Sequence, residues 1–158
     1  MYSKGEAVVY PMHGAGIIED VEEKHIDGVS RNYYVLRIPL GDLKILLCQE
    51  NIESSNLRKV MPQDEIGRIM SNIDAAPSCL HTASWNQRYK ENMEKIKTGK
   101  LCETAAVFHE LFHREKQKGL SGAEKKVLTT AKKALLSEIM LSYNIEKLSA
   151  EQMLESYM

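Results

Sequence analysis

The sequence has few cysteines, few aromatic residues and no long apolar run. Its three cysteines, Cys48, Cys79 and Cys102, are far apart and form no C-x-x-C pair, which argues against a disulfide framework or a thiolate zinc site. No apolar run approaches the ~18 residues needed to cross a bilayer, and the N-terminus lacks a cationic stretch followed by an apolar one. We therefore expect a soluble, cytoplasmic protein with reduced thiols and no membrane contact.

A dominant charge of one sign is also missing, but only from the chain as a whole. The 21 basic and 22 acidic residues nearly cancel. Residues 1–60 carry 7 Lys and Arg against 9 Asp and Glu, a net charge of −2, whereas residues 85–133 carry 12 against 6, a net charge of +6. An anionic partner would therefore meet the second half of the chain.

The first third of the chain has the pattern of short strands joined by tight turns. Runs rich in β-branched and aromatic residues occur at 7–10, 16–18, 32–38 and 43–48. Asp27-Gly28 is a strong hairpin signal, because both central residues of a type I′ turn need positive φ. We predict a small SH3- or Tudor-like β-barrel over residues 1–57.

From residue 58 onward the apolar period changes to about 3.6, which predicts an all-α domain over 58–158 and an α+β chain overall. A break at 74–84 interrupts the helical pattern. Ser121-Gly122-Ala123-Glu124 is a capping box, in which the serine accepts from the N3 amide and the glutamate reaches back to the N-cap amide. About five helices are expected, beginning near Pro62 in the first turn, Ser84, Leu101, Ser121 and Ser149.

The single tryptophan opens the second predicted helix. Apolar residues then recur at helical spacing, at Trp85, Tyr89, Met93 and Ile96. One interpretation makes the tryptophan the first core residue of an amphipathic helix. The other makes it an apolar wedge against a nucleic-acid base step, with Arg88 and Lys90 beside it on phosphates.

The third and fourth predicted helices, with the turn at 118–121, form a helix-turn-helix unit that could present a helix end to DNA. Lys125 and Lys126 fall in the first turn of the fourth helix, where a phosphate would meet lysine charge and free amides together. A solvated lysine face is the alternative interpretation of these residues.

One motif points to an enzyme. His109-Glu110-Leu111-Phe112-His113 matches H-E-x-x-H, the zinc-binding helix of metallopeptidases. No Gly-x-x-His follows, and a third ligand would have to be Glu138 or a similar residue. The alternative is that both histidines are partly exposed at the edge of an apolar stripe. Because phosphate loops and nucleophile motifs are absent as well, the sequence favours a binding protein without metal or cofactor.

Three segments resemble signatures of the CarD/CdnL family of bacterial transcription regulators, whose N-terminal domain is shared with transcription-repair coupling factor. The segment at 8–16, VVYPMHGAG, resembles the family's opening signature. The segments at 85–92, WNQRYKEN, and 119–125, GLSGAEK, resemble the two signatures of its helical domain. The resemblance covers almost the whole chain, in order.

The resemblance implies a barrel that docks on the β subunit of RNA polymerase and a helical domain that lies on promoter DNA at the upstream edge of the −10 element. There the tryptophan would wedge into the minor groove and stabilise the open complex. The implied DNA-binding residues are Trp85, Arg88, Tyr89, Lys90, Lys125 and Lys126. Gln87 stands where the family has a basic residue.

The implied polymerase-binding residues are Lys24, Ile26, Lys44 and Leu46. Leu46 stands where well-known members carry an arginine, and Lys44 lies two residues earlier on the same face. An adapter that binds polymerase without touching DNA is a further possibility. We expect a monomer that is associated with the nucleoid through polymerase.

Overall fold

The computed structural model describes residues 2–73 and 84–158. Within these ranges a five-stranded antiparallel sheet is followed by five α-helices, which confirms the predicted α+β class. The predicted break at 74–84 falls outside the described residues except for Ser84, and so does Cys79.

The sheet has the order β4-β3-β2-β1-β5, and each strand pairs with an antiparallel neighbour. Its strands are β1 Ala7–Tyr10, β2 Gly14–Ile26, β3 Val29–Ile38, β4 Leu43–Cys48 and β5 Arg58–Lys59. Two short 3₁₀ turns, Gln49–Asn51 and Glu53–Ser55, lead into β5. Strand β5 extends the sheet past residue 57, where the sequence pattern divides the chain.

The β2–β3 hairpin is much longer than the sequence pattern indicates. Asp27 and Gly28 both have positive φ, +53° and +77°, as a type I′ turn requires. The ladder continues from Ile26↔Val29 to Ile17↔Arg37, with an irregularity between Ile18 and Asp20. The sequence pattern predicts a strand only at 16–18 in this region, because the rest of β2 is rich in carboxylates, which disfavour a strand.

The helices follow in chain order around a second core. They are α1 Gln63–Ser71, α2 Trp85–Lys97, α3 Leu101–Gln117, α4 Gly122–Tyr143 and α5 Lys147–Ser156. Pro62 is the extended N-cap residue of α1 rather than its first turn, and α5 begins two residues before Ser149. Helix α2 is followed by Gly99, whose positive φ of +74° is the conformation that favours glycine just after a helix end.

Each half of the chain buries its own apolar residues. The barrel core contains Val8, Ile18, Tyr34, Leu36, Ile38, Leu47 and Leu57. The helical core includes Ile66, Ile96, Phe108, Leu111, Leu135 and Ile139.

Helix α4 joins the two halves through polar contacts in its C-terminal half. The Glu138 carboxylate accepts two hydrogen bonds of 2.7 Å from the Arg58 guanidinium and one of 2.8 Å from the Met61 amide. The Ser137 hydroxyl accepts from the Ala15 amide at 2.8 Å. These contacts span about 80 to 122 positions of sequence, so the barrel and the helices pack as one unit.

Candidate nucleic-acid interface

Trp85 lies at the first position of α2, on the surface of the helical half. Ser84 caps this helix, since its hydroxyl accepts from the Gln87 amide at 3.3 Å. The tryptophan side chain is 49% exposed, and Tyr89, one turn later, is 36% exposed. The stripe predicted from the sequence therefore runs from solvent at Trp85 to the core at Ile96, which is 1% exposed. The core interpretation of the tryptophan is wrong.

Arg88 does not occupy the position predicted for it. Its side chain is buried inside the helical half and pairs with Glu124 of α4, with Nε and Nη2 each 3.2 Å from a carboxylate oxygen. A guanidinium in this position cannot hold a phosphate from solvent without leaving the carboxylate buried and unpaired. The prediction of a phosphate contact at Arg88 therefore does not fit this structure.

The remaining cations of the predicted interface are on the surface. Lys90 is exposed on α2, and Lys125 and Lys126 are exposed in the first turn of α4. Because the Arg88–Glu124 pair joins the first turns of α2 and α4, it brings these lysines to the same end of the helical half as Trp85. The result is a surface with an apolar ring and several cations, which suits an anionic partner with stacked bases.

The capping box of α4 is only half confirmed. The Ser121 hydroxyl accepts from the Glu124 amide at 3.2 Å, as expected. The Glu124 carboxylate faces Arg88 and lies 3.3 Å from the Ser121 hydroxyl. Sequence reasoning missed this role of Glu124, because the capping pattern explains a glutamate at that position by itself.

The four residues predicted to face polymerase share one face of the sheet. Leu46 pairs with Val35 and Lys44 with Arg37, while Lys24 pairs with Arg31 and Ile26 with Val29. Cross-strand partners lie on the same face, and the β3 partners are all odd-numbered, so the four side chains project to the side opposite the barrel core. The side chains of Ile26, Lys44 and Leu46 are exposed, and that of Lys24 is half-buried.

A guanidinium with two acidic partners borders this face. Arg37 donates from Nε to Glu19 at 2.9 Å and from Nη1 to Asp42 at 2.7 Å. Hydrogen bonds to these two carboxylates raise the pKa of Arg37 above its ordinary value. One guanidinium balances the charge of one of these two carboxylates, and Lys44, the cross-strand neighbour of Arg37, adds a second positive charge to the face.

The H-E-x-x-H residues lie together on α3. The His109 and His113 rings are 4.5 Å apart between centroids, and both side chains are half-buried, as the non-metal interpretation expects. Glu138, the suggested third ligand, is bonded to Arg58 and Met61. Among residues 2–73 and 84–158, no group of three His, Cys, Asp or Glu side chains is placed to hold a metal.

The fold and its surfaces define a class of two-part proteins, in which an antiparallel barrel with one exposed mixed face is joined to a helical unit with a basic, aromatic end. Residues 2–61 match the CarD-like/TRCF RID domain, and residues 69–155 match the CarD C-terminal domain. The chain belongs to the CarD family.

A curated relative supports this assignment. The chain is 40% identical over 139 residues to a Bacillus subtilis (strain 168) protein described as "Putative transcription factor YdeB". The match covers 88% of this chain and 90% of that protein. In the part of the chain that the structure describes, no helix has the length and apolar character to cross a bilayer.

Proposed function

We propose that this protein is a transcription regulator that docks on the β subunit of RNA polymerase through its barrel and holds promoter DNA open through its helical half. The observation that carries the proposal is the half-exposed Trp85 at the start of α2. Membership of the CarD family and the similarity to a described transcription factor support the class of function.

The tryptophan is suited to act as a wedge. A large aromatic ring at the surface has apolar area that water hydrates unfavourably, and insertion at a base step removes that area from water. Tyr89 lies beside it on the same helix face, so a second ring is available for contact with sugar or base. We place the wedge at the upstream edge of the −10 element, where the base stack is interrupted when the promoter opens.

Phosphate contacts on this side are assigned to Lys90, Lys125 and Lys126. Lysine ammonium groups on flexible side chains bind phosphates without distinguishing the base sequence, and this binding weakens as the salt concentration rises. Three such contacts give low affinity. The barrel compensates, because docking on polymerase gives the helical half a high effective concentration near the promoter.

The exposed sheet face is assigned to polymerase. Lys24 and Lys44 supply positive charge, while Ile26 and Leu46 supply apolar area, a combination that fits a partner surface with acidic residues around an apolar centre. The barrel is the more acidic half of the chain, so this face is unsuited to DNA.

The test is the lifetime of open complexes on a promoter whose bubble collapses readily, with polymerase from the same source. Wild type should lengthen the lifetime, and Trp85→Ala should remove most of that effect while the variant stays folded, since the ring contributes little to the core. Leu148→Ala is the matched control, because Leu148 of α5 is 65% exposed and lies outside the proposed interface. An equal loss in both variants would refute the wedge.

Docking is tested separately by co-purification with polymerase. Lys44→Glu combined with Leu46→Glu should abolish binding, since it reverses the charge and removes apolar area from the face. Lys59→Glu, on strand β5 at the opposite edge of the sheet, is the control. Retained binding by the double variant would refute the docking face. Docking without any change in open-complex lifetime would leave a polymerase adapter that does not contact DNA.

A further inference from the structure

The inner face of α2 is polar where it supports the tryptophan. The buried residues of this helix are Arg88, Asn92 and Ile96, so the first two turns bury polar side chains and only the last buries an aliphatic one. Hydrophobic burial therefore holds the far end of α2 better than the end that carries Trp85. The orientation of the first turn depends on what Arg88 contacts.

Arg88 makes a two-point contact with a carboxylate from another helix. The side chains are 8% and 3% exposed, and two nitrogens of the guanidinium meet both oxygens of Glu124 at 3.2 Å. A bidentate pair between planar groups fixes direction as well as distance. The pair consequently sets the rotation of α2 about its own axis, and with it the direction in which Trp85 projects.

The same carboxylate belongs to the first turn of α4. Its backbone amide donates to the Ser121 hydroxyl, and its Oε1 lies 3.3 Å from that hydroxyl. The adjoining residues are Lys125 and Lys126, both exposed. One carboxylate therefore connects the N-terminus of α4, which carries two proposed phosphate contacts, to the turn that carries the proposed wedge.

We infer that Arg88 is a positioning residue, which acts with Glu124 to hold Trp85 and the Lys125–Lys126 turn in one fixed arrangement. The inference rests on the proposed function. A buried ion pair contributes little net stability compared with apolar residues of the same size, but it can fix a unique geometry. Preorganisation of the wedge lowers the ordering cost when it inserts into DNA.

Glu124→Gln separates positioning from phosphate binding. This change removes a negative charge beside the interface and releases the Arg88 guanidinium from its ionic partner. If Arg88 served DNA directly, open complexes would last at least as long as with wild type, because the local positive charge increases. If Arg88 positions Trp85, the lifetime gain should fall by about 2- to 10-fold, the factor that corresponds to ordering one side chain. Glu94→Gln, an exposed glutamate on the same helix, controls for the change in charge.

A readout without polymerase or DNA comes from Trp85 itself, which is the only tryptophan of the chain. Time-resolved fluorescence anisotropy should show a larger fast component in Glu124→Gln than in wild type or Glu94→Gln, at a temperature where urea titration and circular dichroism show all three folded. Unchanged anisotropy in Glu124→Gln would overturn the inference.

A double-mutant cycle links the two partners. Arg88→Gln combined with Glu124→Gln should lose no more lifetime gain than either single change, because each already breaks the pair. Additive losses would overturn the inference. If wild type itself fails to lengthen the lifetime, the proposed function is wrong, while the anisotropy of Glu124→Gln still decides whether the pair orients Trp85.

Discussion

Removal of Arg58 should destabilise the whole chain more than any surface change, because it leaves a carboxylate buried between the two halves. Glu138 has a side chain that is 2% exposed and accepts three hydrogen bonds, two of them from Arg58. Arg58→Ala removes both charged donors and leaves only the Met61 amide. Breaking a buried pair from one side costs ~3–5 kcal/mol, and we expect the lower end because Arg58 is 21% exposed and its loss admits water.

A change at the other partner, Glu138→Gln, should lower the free energy of unfolding by less than Arg58→Ala does. In Glu138→Gln the amide oxygen can still accept from Met61, and the guanidinium that loses its partner can turn partly to water, so we expect a loss of ~1–3 kcal/mol. Replacing both residues by apolar ones, Arg58→Met with Glu138→Leu, should recover much of the loss, since no unpaired charge remains. The three variants therefore have a predicted order of stability.

Urea unfolding followed by circular dichroism and by Trp85 fluorescence measures this order. Circular dichroism reports on both halves, and the tryptophan reports on the helical half alone. The two transitions should coincide in wild type, because the Arg58–Glu138 pair and the Ala15–Ser137 hydrogen bond join the halves. Arg68→Ala is the matched control, since Arg68 pairs with Glu65 on the exposed surface of α1. A cost for Arg58→Ala no greater than that of the control would refute this reasoning.

Two further predictions concern contacts of α4 with other parts of the chain. A Cβ at Gly14, where φ is +114°, would lie 2.7 Å from the Ser137 hydroxyl. At Gly5, where φ is +93°, no atom lies within 4 Å of an added Cβ, so Gly5→Ala is the control. Gly14→Ala should therefore lower the free energy of unfolding by ~1–3 kcal/mol more than Gly5→Ala does. Urea midpoints of the two variants measure the difference, and equal losses would show that α4 does not press on the β1–β2 turn. Burial raises the pKa of Tyr143 above its ordinary value of 10.0, and its hydroxyl donates to the Gln63 carbonyl at 3.0 Å. The phenol therefore contributes stability fully below pH 10.0 and loses it as pH rises through the raised pKa, so Tyr143→Phe should be less stable than wild type at neutral pH and the gap should narrow in alkali. A gap that is unchanged with pH would contradict this assignment.

Local sequence patterns were sufficient to predict turns and helix starts that depend on the backbone conformation of a few residues. The Asp27-Gly28 turn and the helix start at Ser84 rest on φ preferences or on hydrogen bonds within a few residues, and the structure confirms both. The three signatures that resemble the CarD family were likewise sufficient to assign the chain, since family membership is a property of sequence. The long β2 strand was underestimated, because its exposed carboxylates are compatible with a strand only when β3 pairs with it.

The tertiary structure decided which side chains of the helical half face solvent. Trp85 and Arg88 are three positions apart on one helix, and helical periodicity by itself leaves the tryptophan open between core and surface while it predicts a surface position for the arginine. The structure leaves Trp85 half-exposed and buries Arg88, because Glu124, 36 positions away in sequence, supplies a buried anionic partner for the guanidinium. A local pattern records how apolar a residue is. Whether a charged residue is buried depends on a partner that only the folded chain brings to it.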